Sequence, residues 1–242
     1  LHFGLGDSTS IDSILIVWND QRYQVLKNNE FKKQIIVLQK NASDSFNHAS
    51  YFPVTKPSFT DITNTVGINW QHSENDFFDF NVQYLIPHAQ STRGPKIAVA
   101  DVNKDNLDDF YVCGAKGQAG LLMIQQRNGK FVSANIPLFE KFADGEDVDA
   151  VCFDANNDSF PDLYVVNGGN EYEDGNINLA DRLYINNGNG NFTYSVNALP
   201  QIFSNKTTIS VADVNKDGSI DLFIGGFASA KSYGIPQPSY LL

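Results

Sequence analysis

One acidic pattern of nine residues occurs three times in the chain, each time between two short apolar runs. It places Asp at positions 1, 5 and 9 and Asn at position 3, as in "DVNKDNLDD", which begins at Asp101. The copies that begin at Asp154 and Asp213 read "DANNDSFPD" and "DVNKDGSID". Because two carboxylates about 4 Å apart repel by roughly 4 kcal/mol near a protein surface, such a loop opposes folding unless a cation lies among its oxygens. The pattern therefore constrains both the fold and the chemistry of the chain.

The spacing of the pattern suits a hard cation. Alternating positions direct their oxygens to one side of a tight loop, and the carbonyl oxygen at position 7 would add a further ligand. No His or Cys joins any of the three sets, so zinc and copper are disfavoured and about three Ca²⁺ ions are predicted. The predicted ligands are, loop by loop, Asp101, Asn103, Asp105, Leu107 and Asp109; Asp154, Asn156, Asp158, Phe160 and Asp162; and Asp213, Asn215, Asp217, Ser219 and Asp221.

The sequence around the loops excludes an EF-hand, which requires a bidentate Glu at position 12 between two helices. Position 12 is here Val112, Val165 or Ile224, within an apolar run. The runs on both sides of each loop are short and rich in β-branched and aromatic residues, which is typical of strands. Each loop is therefore predicted to join two strands of a hairpin. Three acidic hairpin turns without a metal are the alternative.

The loops belong to a longer repeat, since they begin 53 and then 59 residues apart. In addition, "LLMIQQRNGKFVSA" (121–134) aligns with "RLYINNGNGNFTYS" (182–195), each being a strand, an Asn/Gly turn and a second strand. Four antiparallel strands per repeat describe one blade of a β-propeller. The third repeat stops at "SYLL" (239–242), before a fourth strand. The predicted fold class is therefore all-β, an incomplete β-propeller of four-stranded blades with calcium-binding loops, and we expect no closed ring from these residues alone.

The repeats, with "LYINNGNGNF" and "GGF", resemble FG-GAP/VCBS repeats, the blades of integrin-α-like propellers. A finer resemblance over 59–242 is to the cartilage-acidic-protein-like, ASPIC/UnbV-associated family of the Bacteroidetes type. Residues 1–42, with "HFGLG" and "IDSILIVWNDQRYQVLKNN", resemble the C-terminal half of an ASPIC/UnbV β domain. In its turn, Gln21 stands where that family usually has Gly. The polar stretch 43–58, with two prolines, is predicted as a linker to the propeller fragment.

The charge of the chain bears on its partners. Nine of the 28 Asp and Glu residues are predicted calcium ligands, and the formal net charge of −11 argues against nucleic acid. No apolar run reaches the roughly 18 residues of a membrane span, so direct membrane insertion is not expected. Weak calcium loops suit the millimolar calcium outside cells, which favours an extracellular or cell-surface location. The resemblance implies an association with the outer membrane, as part of a longer chain.

The predicted function is a platform that binds a protein or polysaccharide partner at the cell surface, without catalysis of its own. The alternative is an enzyme that acts on polysaccharide and uses the propeller as its scaffold, since paired carboxylates for glycoside chemistry can arise anywhere in so acidic a chain. Glu146 and Asp147 resemble a family feature, and an extra metal or polar site there is an open alternative to a structural role. Glu171 and Glu173 lie in an acidic insertion that is either a solvated loop or a ligand site.

Overall fold

The computed structural model of the protein describes residues 4, 6–7, 10–27, 34–52 and 57–242. It divides the chain into two compact units, Leu1–Asp61 and Ile62–Leu242. Most of "HFGLG", residues 28–33 of the ASPIC/UnbV-like segment and residues 53–56 of the predicted linker lie outside the described residues. Within the described ranges, both α-helices have four residues and the remaining regular structure is mainly strand, as the all-β prediction expects. No helix in the described part of the chain is long and apolar enough to cross a membrane.

The first unit contains a three-stranded antiparallel sheet in the order β1-β2-β3, followed by a short helix. Its elements are β1 (Ser13–Val17), β2 (Arg22–Lys27), β3 (Ser43–Ser45) and α1 (His48–Tyr51). Strand β3 pairs with β2, and Phe46 packs its ring edge against Tyr23 with centroids 5.6 Å apart. The start of the segment predicted as a linker thus pairs with the sheet of the first unit.

The conformation of the β1–β2 turn suits a glycine at residue 21, where the ASPIC/UnbV-like family usually has one. Gln21 adopts a φ of 64°, in the left-handed region where a side chain is disfavoured. The turn is closed by two backbone hydrogen bonds, from the Gln21 N–H to the Trp18 oxygen and from the Trp18 N–H to the Arg22 oxygen, both 2.9 Å. The glutamine therefore accepts a backbone conformation that glycine would adopt without strain.

The second unit consists of three antiparallel sheets in which strands adjacent in sequence are paired. We name them sheets I, II and III in chain order. Sheet I contains β4 (Ile97–Ala100), β5 (Asp109–Val112), β6 (Leu121–Gln125) and β7 (Phe131–Ala134). Sheet II contains β8 (Asp147–Phe153), β9 (Asp162–Asn167), β10 (Arg182–Asn186) and β11 (Phe192–Tyr194). Sheet III contains β12 (Lys206–Ala212), β13 (Asp221–Gly226) and β14 (Tyr240–Leu241).

The first strands of the three sheets lie next to one another, β4 beside β8 and β8 beside β12. Ala98 and Ala150 are buried on these strands. Their small side chains allow the neighbouring strands to approach closely. Between sheets I and II, aromatic side chains fill the core, with the Phe139 ring 5.1 Å from that of Tyr111 and 5.2 Å from that of Tyr184. Two four-stranded sheets and one three-stranded sheet, with their first strands adjacent, agree with the predicted blades, and the three sheets form no closed ring in the described residues.

The connections between strands contain only short helical turns. The helix α2 (Ile136–Phe139) follows β7 and places Phe139 in the core, with a proline in its first turn, where the missing N–H is harmless. The 3₁₀ turns of the described residues are Gln39–Asn41, Thr63–Thr65, Asp79–Asn81, Glu140–Phe142 and Ile177–Leu179.

Candidate functional site

The three acidic loops join β4 to β5, β8 to β9 and β12 to β13, so each lies in a hairpin as predicted. All three also share one backbone conformation. Positions 4 and 6 of each loop lie in the left-handed region, although five of these six residues are not glycine. The φ values are 58° and 67° for Lys104 and Asn106, 61° and 70° for Asn157 and Ser159, and 63° and 90° for Lys216 and Gly218. Because such residues cost roughly 1 kcal/mol or more each, the tight turn must be stabilised by other interactions.

Those interactions are hydrogen bonds from backbone amides to the acidic side chains. In the first loop, the Asp105 N–H donates both to Asp101 Oδ1 at 3.1 Å and to Asn103 Oδ1 at 3.0 Å, so these two oxygens converge on one point. The Asn106 N–H donates to Asp101 Oδ2 at 2.8 Å, and the Leu107 N–H to Asp105 Oδ1 at 2.9 Å. The same four bonds recur, with similar lengths, in the second loop and in the third.

The aspartate at position 9 connects each loop to its sheet. Asp109 accepts hydrogen bonds from the Val102 N–H in its loop and from the Gln125 N–H in the third strand of sheet I, and it is fully buried. Asp162 is equally buried and is held in the same way by the Ala155 and Asn186 amides. Burial raises the pKa of both carboxyls, the amide bonds lower it, and the aspartates at positions 1 and 5 raise it further. The loop carboxylates are therefore close enough to repel one another.

These loops fit a hard cation by their donor set, since each offers three carboxylates and one amide oxygen, with no soft ligand. Each carboxylate has about four lone-pair sites, so oxygens that accept one amide can still take a cation. No three His, Cys, Asp or Glu side chains in the described part of the chain are already grouped closely enough to hold a metal ion. The predicted ligands at positions 1, 3 and 5 share a network of hydrogen bonds with their loop's amides, and calcium binding stays a prediction.

The opposite end of β4, β8 and β12 holds charged side chains that the sequence patterns did not single out, apart from Glu146 and Asp147. Asp147 begins β8, is 3% exposed and forms an ion pair with Arg182 at the start of β10. Tyr111 in sheet I donates its hydroxyl hydrogen to Asp147 Oδ2 at 2.8 Å. Gly120 makes room for this link, because an added Cβ would lie 2.0 Å from the Tyr111 hydroxyl oxygen. Asp147 thus has a structural role, joining sheets I and II.

A second buried ion pair joins sheets II and III. Lys206 begins β12, and its ammonium lies 3.3 Å from Asp181 Oδ1 while donating to the Leu179 and Ser204 carbonyl oxygens at 2.6 and 2.9 Å. Asp181 also accepts from the Tyr164 hydroxyl at 2.9 Å. Burial raises the pKa of Asp181 and lowers that of Lys206, and their mutual attraction opposes both shifts. Tyr164 follows the second loop at the same distance as Tyr111 follows the first. The two junctions therefore use equivalent tyrosines that donate to different carboxylates.

A third buried carboxylate ties the segment before β4 to the other sheets. Asp79, 2% exposed, accepts from the N–H and hydroxyl of Ser91 at 3.1 and 2.6 Å and from the Asn170 side chain at 2.8 Å. Burial opposes its ionisation, but these bonds outweigh burial and lower its pKa. Asn205 then donates to the Asn170 oxygen at 3.4 Å and to the Ala228 carbonyl oxygen at 3.0 Å.

Glu146 and Glu171 lie close together at this end. Burial raises the pKa of Glu146 to about 9, partly offset by the Lys116 N–H, which donates to its carboxylate at 2.5 Å. Burial also raises the pKa of Glu171 to about 7, and both of its carboxyl oxygens are buried without a hydrogen-bond partner in the described residues. In contrast, Glu173 forms an exposed ion pair with Lys231 at 2.5 Å. The acidic insertion is therefore part buried and part solvated.

Comparisons with known families agree with the repeats. The model of the FG-GAP-like repeat matches residues 154–224, which contain the second and third loops, and the model named ASPIC and UnbV matches residues 1–44. No curated protein matched the chain. The two matches support the resemblance to FG-GAP-like repeats and to the ASPIC/UnbV domain that the sequence predicts. FG-GAP repeats indicate a β-propeller-like interaction module, and the first loop, outside the matched range, has the geometry of the other two.

Proposed function

We propose that this chain is a calcium-stabilised interaction module of the cell exterior, whose loops at one end of the sheets hold three Ca²⁺ ions. The observation that carries the proposal is the common geometry of the loops. Three segments that differ at most of the intervening positions keep left-handed backbone at the same two positions and make the same four amide-to-side-chain bonds. Such repetition is expected where each loop serves the same ligand.

The role we assign to calcium is structural. Three like charges in each loop repel one another, and a divalent ion among them offsets this repulsion in the folded state only. Each loop joins the first two strands of a sheet, so an ion there would stabilise the pairing of those strands. Each bound ion would add about 2.7 kcal/mol to the free energy of unfolding when free calcium is a hundredfold above the dissociation constant. Loops of this kind in extracellular modules bind with dissociation constants of roughly 0.1–1 mM, which supports an extracellular or cell-surface location.

The partner that we propose is a protein or a polysaccharide at the cell surface, and we propose no catalysis. A glycosidase needs two accessible carboxyls roughly 5–9 Å apart. Asp147 is committed to Arg182 and Tyr111, and the carboxyl oxygens of Glu171 are buried, so neither is free to act on a substrate beside Glu146. These contacts favour a binding module over the polysaccharide-acting enzyme.

Thermal unfolding with and without a calcium chelator tests the proposal. We expect calcium to raise the melting temperature of the full chain, and Asp105→Asn, Asp158→Asn and Asp217→Asn each to reduce that increase. The asparagine keeps an acceptor for the amide at position 7 and removes only the charge. Asp108→Asn is the matched control, since Asp108 is an exposed acid in the first loop that is not a predicted ligand. A melting temperature that chelation leaves unchanged would remove calcium from the proposal.

A further inference from the structure

A cavity of about 320 Å³ opens at the end of the sheets opposite the acidic loops. Its wall includes the beginnings of β8 and β12, together with Arg93, Lys96 and Phe227. Ligand pockets span roughly 300–1,000 Å³, so this cavity has room for one small molecule or one residue of a polymer, and not for a long chain.

The floor of the cavity is polar and buried. Asn205 is 1% exposed, and its side-chain nitrogen donates to the Ala228 carbonyl and to Asn170, but its oxygen receives no hydrogen bond in the described part of the chain. Asn170 uses one of its two side-chain N–H groups on Asp79. An amide oxygen has two lone pairs, so this oxygen is available to accept from a hydroxyl-bearing ligand or from water in the cavity.

The rim of the cavity is positively charged. The Arg93 guanidinium lies 4.1 Å from the centroid of the Phe227 ring, a contact that holds its planar group in place. Lys96 is exposed, and neither cation forms an ion pair with any residue that the structure describes. A chain with a net charge of −11 therefore presents two unpaired cations at the mouth of one cavity.

The acidic groups near the cavity do not cancel this charge. Asp147 is neutralised by Arg182, and Lys206 and Asp181 neutralise each other. Glu146, which also lines the cavity, is held in its uncharged form at neutral pH because burial raises its pKa to about 9. Asp79 keeps its negative charge, since hydrogen bonds lower its pKa, and it lies against Ser91 and Asn170, which line the cavity. The two rim cations exceed this single negative charge.

We propose that this cavity binds a sugar unit that carries a carboxylate, that is, a uronic acid residue of an acidic polysaccharide. The carboxylate would meet Arg93 and Lys96, since a guanidinium recognises carboxylates through paired N–H donors. The hydroxyls would reach the Asn205 oxygen and the free Asn170 N–H on the floor. The floor distinguishes a sugar from an acidic side chain, which has no hydroxyls to offer. This inference deepens the proposed interaction function and rests on it.

Isothermal titration of the full chain, in calcium, with galacturonate trisaccharide and with the neutral galactose trisaccharide tests the proposal. We expect the acidic trisaccharide to bind, the neutral one to bind at least about tenfold more weakly, and salt to weaken only the former. Arg93→Gln and Lys96→Gln should each weaken binding about tenfold. Lys130→Gln, an exposed cation in the turn between β6 and β7 at the loop end, should change the dissociation constant less than twofold.

Three outcomes of these titrations would overturn the proposal, and a fourth comes from a peptide control. They are equal affinity for the two trisaccharides, an equal loss in Lys130→Gln, and no binding of galacturonate at millimolar concentration. A glutamate tripeptide that binds as tightly as galacturonate, with the same dependence on Arg93, would also overturn it, by assigning the cavity to an acidic protein partner. The melting temperatures in calcium and in chelator separate this result from the calcium proposal. A calcium-dependent melting temperature without galacturonate binding would contradict the cavity assignment alone.

Discussion

The two ends of β4, β8 and β12 satisfy their charges in different ways. At the loop end, each aspartate accepts hydrogen bonds mainly from amides of its own loop, two to seven residues away in sequence. At the cavity end, Asp147 accepts from Tyr111 of sheet I, 36 residues away, and Asp79 accepts from Asn170, 91 residues away. The loop end is thus a set of three local devices, whereas the cavity end is a network that exists only when the sheets are packed together.

This difference predicts different energetic behaviour. The aspartates at positions 1 and 5 of the loops remain near solvent, and we expect them to respond to a cation, so their contribution depends on calcium. Charges at the cavity end are shielded from solvent and respond to the loss of a partner, since an unpaired buried charge is far more costly than an exposed one. Variants at the two ends therefore separate calcium-dependent from calcium-independent stability.

The largest effect is expected from Arg182→Met, which leaves Asp147 buried without its cation. We expect the free energy of unfolding, measured with urea in calcium, to fall by about 3–5 kcal/mol. Lys231→Met breaks the exposed pair with Glu173 and serves as the control, with a loss of no more than about 1 kcal/mol. Similar losses for the two variants would contradict a buried ion pair at the sheet I–II junction.

The pH dependence of stability tests the environment of Glu146. Its pKa rises from 4.5 to about 9 on folding, so the folded state holds its proton more tightly and loses stability as the pH rises between those values. Glu146→Gln keeps an acceptor for the Lys116 N–H and removes the titration. We expect the variant to match the wild type near pH 5 and to gain on it by up to about 1.4 kcal/mol per pH unit toward pH 8. Parallel stability curves would show that Glu146 is solvated.

The aspartates at position 9 allow a comparison within the loop end itself. Asp162→Asn places an N–H₂ group against one of two amide donors in a fully buried site, so we expect a loss of about 1–3 kcal/mol that persists in chelator. Asp221 is only half-buried and accepts from the Val214 N–H alone among the described residues. Asp221→Asn should therefore lose less in chelator. An equal loss at both positions would mean that burial does not decide their roles.

The smallest effect is expected where the loops touch each other. The Lys104 ammonium in the first loop lies 3.7 Å from the centroid of the Phe160 ring in the second. Both groups are near solvent, so Lys104→Met should lower the free energy of unfolding by about 0.5–1 kcal/mol. Lys216, at the same position of the third loop, has no such ring contact in the described residues, and Lys216→Met should change stability less. A loss above 2 kcal/mol for Lys104→Met would mean that the loop end, too, depends on contacts between sheets.

The sequence predicts the loop end well because its determinants are local. Spacing and flanking strands place all three loops in hairpins, and the Asn/Gly turns place the later strands of sheets I and II. The cavity end could not be predicted in this way. Nothing near Arg182 or Lys206 indicates a partner 35 or 25 residues away, since sheet packing decides which side chains meet. The available signal was a charged residue at the start of an apolar strand. Because charged side chains are rarely buried without a partner, such a residue indicates that a partner lies nearby in the fold.

Direct measurement of calcium stoichiometry tests the central claim that the three loops are equivalent cation sites. Calorimetric titration of the metal-free chain with calcium is predicted to give three ions per chain. Asp105→Asn, Asp158→Asn and Asp217→Asn should each remove or greatly weaken one ion, and Asp108→Asn should leave all three. A stoichiometry below three for the folded wild-type chain, or a count unchanged by all three position-5 variants, would contradict the account.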